Sequence, residues 1–593
     1  MTSDSTCDYV FDLAEWREDR GRDFRLEESV PTGWSCDRPV EGDGACLFHR
    51  PVDETDSQAV AERLVEEVAT PAAETDVDAV AENRFLGAEF DDVSLSHLVL
   101  EGEGNRPIDL RFSTVAGALE LDRLVTTNPI RLVGTVVEGE TTFHRAQIRA
   151  DFDVSDAVFR GPVDFTDATF SRHVWAIHAE FGSGTSFDRC SVGEDLCLAG
   201  ADIGGNLRLA DAEVDGYSCF SRIDCTGALV VEPKHVGGNL WCVRSTFETF
   251  DETNEPNNLI RGGSIEGDVV VRESTFGGKL TFEDLDVEGR FLFEDTSVAG
   301  NWVDLTGCSV PAGELGQPDE GHVTYDFTDA TIGDVRLQDV PGNGFERIFF
   351  TNTTFDGFDF GRHRPLLLRS NWTIHTVADG PIADTQTESG PLRAARDRLA
   401  SLATPVAWFG RSLLGRTAPG VDEKSLDETT YLKAKNGANK AGDNKAAARF
   451  FQKELAFRRK GHAEVALNGR PAANGSTTVF ERLSAAGAWV ANVVLAATTG
   501  YGEKPHRVLL ASLATIVAFA FVFAGITHLG PGTDHPPREI LLLSFQSFIT
   551  FILGSPVGGD VTYALRFVSA VEGLMGAFLV ALSVFALTRS VHR

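Results

Sequence analysis

The chain has 593 residues, with 53 Lys and Arg against 88 Asp and Glu, a net charge of −35. Several domains are expected at this length, and a hydrophobic share of 42% supplies the core that a disordered acidic chain lacks. Phosphate contacts need clustered Lys and Arg, so the charge excludes a general nucleic-acid binder; nine cysteines without paired spacing do not read as a disulfide framework.

The first 30 residues are polar and carry no apolar core segment. No signal peptide is expected, and the bulk of the chain is expected on the cytoplasmic side. Within residues 1–84, Cys7, Cys36, Cys46 and His49 stand out, the last two as Cys-x-x-His. Three thiolates and one imidazole make a tetrahedral zinc set, and a cytoplasmic setting keeps thiols reduced. Either these four hold a structural zinc that staples an N-terminal cap, or they are unrelated small core residues. The segment 55–84, rich in Ala, Val, Glu and Asp, predicts one or two amphipathic helices closing the next domain.

Residues 85–362 carry an internal clock. GEDLCLAGADI from Gly193, then GGNLRLADAEV, then DGYSCFSRIDC are eleven-residue units, with apolar or small residues at the fourth, sixth, ninth and eleventh positions. In the second unit these are Leu207, Leu209, Ala212 and Val214; Lys234 is a lapse at one expected inward position. The register breaks over 248–265, with Asn254, Pro256 and Asn257, and resumes with EGDVVVRESTF. Spacings of 2, 3, 2 and 4 fit short strands separated by corners, not a helical period. Short strands cannot bury a face alone, so successive turns must stack into a β-solenoid. Two units would make one four-sided rung. Gly161, Gly205, Gly238, Gly267, Gly278 and Gly289 precede the first strand residue, where a corner with positive φ is expected.

These units resemble the pentapeptide-repeat family, which implies a right-handed four-sided β-helix. One corner per unit carries an extra residue here, and the family's Ala-Asp/Asn-Leu triplet is mostly absent. Such solenoids bind or scaffold, and some β-solenoids process polysaccharides. No carboxylate cluster separates from the general acidity, so no catalytic residues are assigned and an enzyme is not expected. The lysine-poor, acidic, folded composition resembles that of halophilic archaeal proteins.

Residues 363–475 read as a helical linker. Tyr431-Leu432, Ala446–Ala448, Phe450-Phe451, Leu455 and Phe457 suit a helical hairpin turning near Gly442-Asp443-Asn444. Between 431 and 470 ten Lys or Arg face three Asp or Glu, a basic patch that fits the positive-inside rule and the anionic head groups of membrane lipid, or an ordinary helix surface. Residues 476–506 read as an amphipathic interfacial helix (about 477–497) followed by a turn, Thr498-Thr499-Gly500-Tyr501-Gly502-Glu503.

Within 507–593, Val508–Thr527 has no charge and is long enough to span a bilayer, and Phe567–Thr588 is a second span interrupted by Glu572. Arg589 and Arg593 are expected inside, so two spans put both termini in the cytoplasm. Between them ILLLSFQSFITFILGSPV, 540–557, reads as a re-entrant helix and loop, tolerated at membrane depth only where buried in protein or lining water. Span, re-entrant helix, loop, span resembles the potassium-channel pore family, and Glu572-Gly573 with Gly576 resembles its inner helix. The resemblance implies a homo-tetramer, a monovalent cation in the pore and a filter at Thr550-Phe551-Ile552-Leu553-Gly554-Ser555. The threonine and the last glycine match the family; Ile552 replaces the central glycine and Ser555 the acid, which leaves a weakly selective, differently selective or closed pore. Glu572 either pairs with a neighbouring subunit, binds a cation or anchors the re-entrant loop, and the glycines either bend the helix or let it pack closely.

The sequence thus predicts an ion-channel-like membrane protein with a cytoplasmic β-solenoid that regulates it or binds a protein partner. The alternatives are a tethered scaffold whose pore module only oligomerises, and, last, a polymer-processing enzyme in the solenoid groove.

Overall fold

A computed structural model describes residues 6–20, 32–40, 44–69, 85–100, 107–248, 258–338, 347–375, 421–468, 478–502, 505–529, 536–553 and 563–591. The chain divides into two compact units, Met1–Ile374 and His375–Arg593.

The first unit is a β-solenoid. Each eleven-residue unit contributes two short strands, such as Thr141–Thr142 and Gln147–Ile148. Through most of the coil a strand lies parallel on the strand four places later, so Thr141 faces Val163 and Ile148 faces Phe170. One turn therefore takes two units, a step of 22 residues. The alternation of the sequence decides what faces in: Leu207, Leu209, Ala212 and Val214 are at most 2% exposed. Stacking puts like residues over like. The rings of Phe143, Phe165 and Phe187 lie 4.8 and 4.5 Å apart on successive turns, and each buried ring is worth about 2–3 kcal/mol.

Corners are built by two devices. The eighth residue of the unit takes left-handed φ: Arg145 at 58°, Asp167 at 60°, Arg189 at 57°, Asp211 at 56°. The glycines at the second position do not have positive φ, which corrects the expectation for Gly161, Gly205, Gly238, Gly267, Gly278 and Gly289. The reason at Gly161 is steric: a Cβ there would sit 2.3 Å from the Gly139 carbonyl of the turn below. Beside these corners, Asp and Asn side chains accept backbone N–H groups from the next turn. Asp195 takes Tyr217 N–H at 3.0 Å, Asn206 takes Ala228 N–H at 2.8 Å, and Asp268 takes Arg290 N–H at 2.8 Å. Part of the acidity is therefore structural.

The lapse at Lys234 has a local cause. Pro233 occupies the left-handed position, and its ring fixes negative φ. The corner is rebuilt, and Lys234 points outward to Glu213 at 3.5 Å. The expected break is also present: after Leu229–Glu232 the pairing step lengthens from 22 to 29 residues, with Leu229 N–H bonded to Asn258. Asn254, Pro256 and Asn257 lie outside the described residues.

Both ends of the solenoid are covered. At the N-terminal end, strand Val10–Asp12 pairs antiparallel with Gly33–Ser35. Helix α1 is Leu13–Arg20, and α2, Ser57–Ala69, buries Val60, Leu64 and Val68; α2 meets the expectation for 55–84 in part, and residues 70–84 lie outside the described ones. At the other end the last strand is Thr354–Phe355. There Phe355, Phe358, Phe360 and His363 pack together, and Phe350 N–H bonds Ile374 at 2.9 Å. Helix α3, Arg364–Arg369, buries Leu367 beside them.

The second unit is helical. Helices α4, Val421–Lys440, and α5, Asn444–Asn468, form the expected hairpin, turning on Gly442 at φ 78° while Asp443 caps α5. Helices α6, Val479–Thr498, α7, Pro505–Leu529, α8, Pro537–Leu553, and α9, Tyr563–Val591, follow. Residues 376–420 of the expected linker lie outside the described residues.

Candidate functional sites

Cys7, Cys36, Cys46 and His49 are brought together. Their ligand atoms all lie within 4.8 Å of one another, and the three cysteines are buried. Cys36 Sγ is 3.8 Å from Cys46 Sγ, and His49 Nδ1 is 3.1 Å from Cys46 Sγ and 3.7 Å from Cys7 Sγ. Four ligands around zinc at about 2.3 Å lie about 3.8 Å apart on a tetrahedron, so the four side chains fit that ion. His49 Nε2 donates to the Leu86 carbonyl at 3.0 Å. That bond leaves Nδ1 with its lone pair facing the thiols and fixes the tautomer a metal requires. The neighbouring Cys46 thiol, then His49, hold the Cys36 thiol below its ordinary range. Tyr9 stacks on His49 at 4.0 Å, while Phe48 packs on Phe85 and Phe90. The cluster therefore fixes the cap to the first solenoid turn, whose lower edge would otherwise present unpaired strands.

In the second unit, Tyr431 anchors the hairpin, fully buried, its hydroxyl 2.8 Å from His375 Nδ1 and its ring stacked on Phe457 at 5.2 Å. Burial, then Lys453 and Lys460, push the His375 imidazole down to about 4. The basic patch is partly neutralised within the hairpin: Lys435 and Arg458 both reach buried Glu454, at 2.7 and 2.9 Å, and Arg458 reaches Glu428 at 2.8 Å.

Among the described residues, three helices are long and apolar enough to cross a membrane: Val479–Thr498, Pro505–Thr527 and Tyr563–Thr588. This corrects the expectation of two. The charges of α6 stand only at its start, Glu481 and Arg482, with Glu481 in a capping box on Thr478. The remaining turns of α6 are apolar enough to qualify as a span. Its polar contacts are few: Asn492 donates to the Leu455 carbonyl at 3.3 Å and accepts from Tyr501 at 2.7 Å. Thr499–Gly502 is a turn, as expected, with Gly500, Tyr501 and Gly502 all at positive φ.

Helices α7, α8 and α9 pack around Val508, Ile516, Phe548, Leu579 and Ala586. Their outward surface is apolar: Leu509, Leu510, Phe521, Phe545, Leu574 and Phe578 are exposed. Their inside holds polar groups. Glu572 is fully buried. Its Oε1 bonds Ser544, which also lies 2.7 Å from the Ile516 carbonyl, so one serine joins all three helices. Ser547 and Ser569 hydroxyls are 2.9 Å apart. An apolar exterior around a polar interior inverts the soluble pattern and suits a lipid solvent. Gly576 meets the α8 backbone directly, since a Cβ would stand 2.1 Å from the Phe548 carbonyl; Gly573 faces Ser547. Close packing, of the two roles expected for these glycines, is the one seen.

Thr550, Phe551, Ile552 and Leu553 form the last turn of α8, with the Thr550 hydroxyl donating to the Gln546 carbonyl at 2.7 Å. Gly554 and Ser555 lie outside the described residues. Sequence reasoning missed the Ser544 bridge to Glu572.

Comparison with protein families, with curated proteins and with solved structures finds no match for this chain.

Proposed function

We propose that the chain is a membrane protein whose C-terminal helices assemble, as a homo-tetramer, around a path for monovalent cations. The β-solenoid serves as a cytoplasmic regulatory or scaffolding domain, with a protein partner on its surface and no nucleic acid. The observation that carries this reading is the inverted bundle, with Glu572 and Ser544 buried between helices whose outer faces are apolar. A subunit with a single pore helix between two flanking helices cannot enclose a pore, so a pore requires several copies. The last carbonyls of a helix have no partner within it, and the helix dipole ends there with negative charge. In α8 that end is Thr550–Leu553, the stretch that resembles a filter, and it favours a cation. In this reading α8 is the re-entrant helix.

Zinc is proposed as a structural ion at Cys7, Cys36, Cys46 and His49, where it would close the cap and catalyse nothing. A second reading, a tethered scaffold with a non-conducting module, is favoured by one observation: the segment aligned with the filter is helical through Leu553. Cation efflux from liposomes at high salt separates the two. The proposal expects efflux from wild type and none from Gly554→Trp; no efflux from either leaves the scaffold.

A further inference from the structure

Six cysteines lie in the solenoid, and four of them, Cys190, Cys225, Cys242 and Cys308, face the apolar core, where burial pushes their thiols up to about 12, 11, 12 and 12. Cys197 and Cys219 differ. Their strand neighbours Leu196, Leu198 and Phe220 are fully buried, so alternation turns both thiols to the outer face. They are in register on adjacent turns, Cys197 directly on Cys219. The same outward column continues as Trp175 on one side and Trp241 on the other. The two thiols are nonetheless only 6% and 8% exposed. The Tyr217 ring lies tilted on Trp241 at 5.1 Å, and His173 stacks on Trp175 at 4.9 Å, an aromatic wall on each side of the cysteine pair.

From this arrangement we infer that Cys197 and Cys219 form a two-thiolate site for a soft, thiophilic monovalent cation of the copper(I) class. Thiolates select such ions over hard ones. Paired residues on stacked strands stand about 4.8 Å apart at their backbones, close enough for two cysteine side chains to reach one ion from adjacent turns. Both thiol protons leave to solvent as the ion binds. The aromatic wall keeps water and larger thiols from the bound ion.

The test uses the full chain in detergent, under argon, with the N-terminal cluster filled with zinc. Copper(I) is titrated against a chromophoric copper(I) chelator. Wild type is expected to retain one equivalent more than Cys197→Ser or Cys219→Ser, while Cys242→Ser matches wild type. A second readout needs no variant: copper(I) should slow N-ethylmaleimide labelling of Cys219 at least tenfold. Equal retention in wild type and both outer variants would overturn the inference. So would unchanged labelling, or a Cys197–Cys219 disulfide formed under peroxide in protein that retains no copper.

Discussion

The two units of this chain are stabilised in opposite ways. In the solenoid, apolar side chains face in and polar ones face out, and each turn touches only its neighbours, as Phe165 does between Phe143 and Phe187. In the α7–α9 bundle the outer faces are apolar, and fully buried Glu572 and Ser544 join the helices from within. A repeat spreads stability over many equivalent contacts, whereas the bundle adds to its apolar core a few buried polar contacts and a close backbone approach at Gly576.

The contrast can be broken at several points. The largest effect is expected at the N-terminal cluster, because structural zinc supplies about 10 kcal/mol or more to small modules. Chelation, or Cys46→Ser, should open residues 6–69 to protease while the solenoid keeps its β-sheet circular dichroism. Simultaneous loss of both would mean that the cap and the coil are not separable. Next, Phe165→Ala removes a ring between two others and should cost about 3–5 kcal/mol, measured by chemical denaturation. Exposed Phe521→Ala should stay within about 0.5 kcal/mol in detergent.

A smaller effect is expected at Gly576→Leu, which drives a side chain into the Phe548 carbonyl. A cost of about 1–3 kcal/mol should appear as a lower melting temperature of the detergent-solubilised chain. An unchanged melting temperature would show that α8 and α9 do not meet there. The smallest is a pH effect. Burial holds folded His375 near 4, below its ordinary value of about 6.5. The unfolded chain thus binds this proton first, so the contribution is complete above about 6.5 and is lost as pH falls toward 4. Helical circular dichroism of the hairpin should weaken across that window, and His375→Gln should flatten the dependence.

The solenoid was legible because its signal is a period. Units ending at Val192, Ile203 and Val214 repeat one constraint, and a strand two residues long still shows through its copies. The corner geometry was not legible: Arg145 and Asp167 carry left-handed φ with ordinary side chains, while the glycines that drew notice serve close approach. The zinc set was legible as residue types, although nothing in the spacing showed that Leu86 would fix the histidine tautomer. The bundle was read from hydropathy, which located α7 and α9 but took α6 for an amphipathic interfacial helix, although its charges, Glu481 and Arg482, stand only at its start. The Ser544 bridge depends on helix packing, which no local pattern encodes.

The central claim, that the C-terminal helices form a cation pore, is tested most directly by current recordings of the full chain in a planar lipid bilayer under a potassium chloride gradient. A current reversing toward the potassium equilibrium potential, and absent for Gly554→Trp, is the expected result. Reversal toward the chloride potential, or silence across all voltages and salt concentrations, would contradict it.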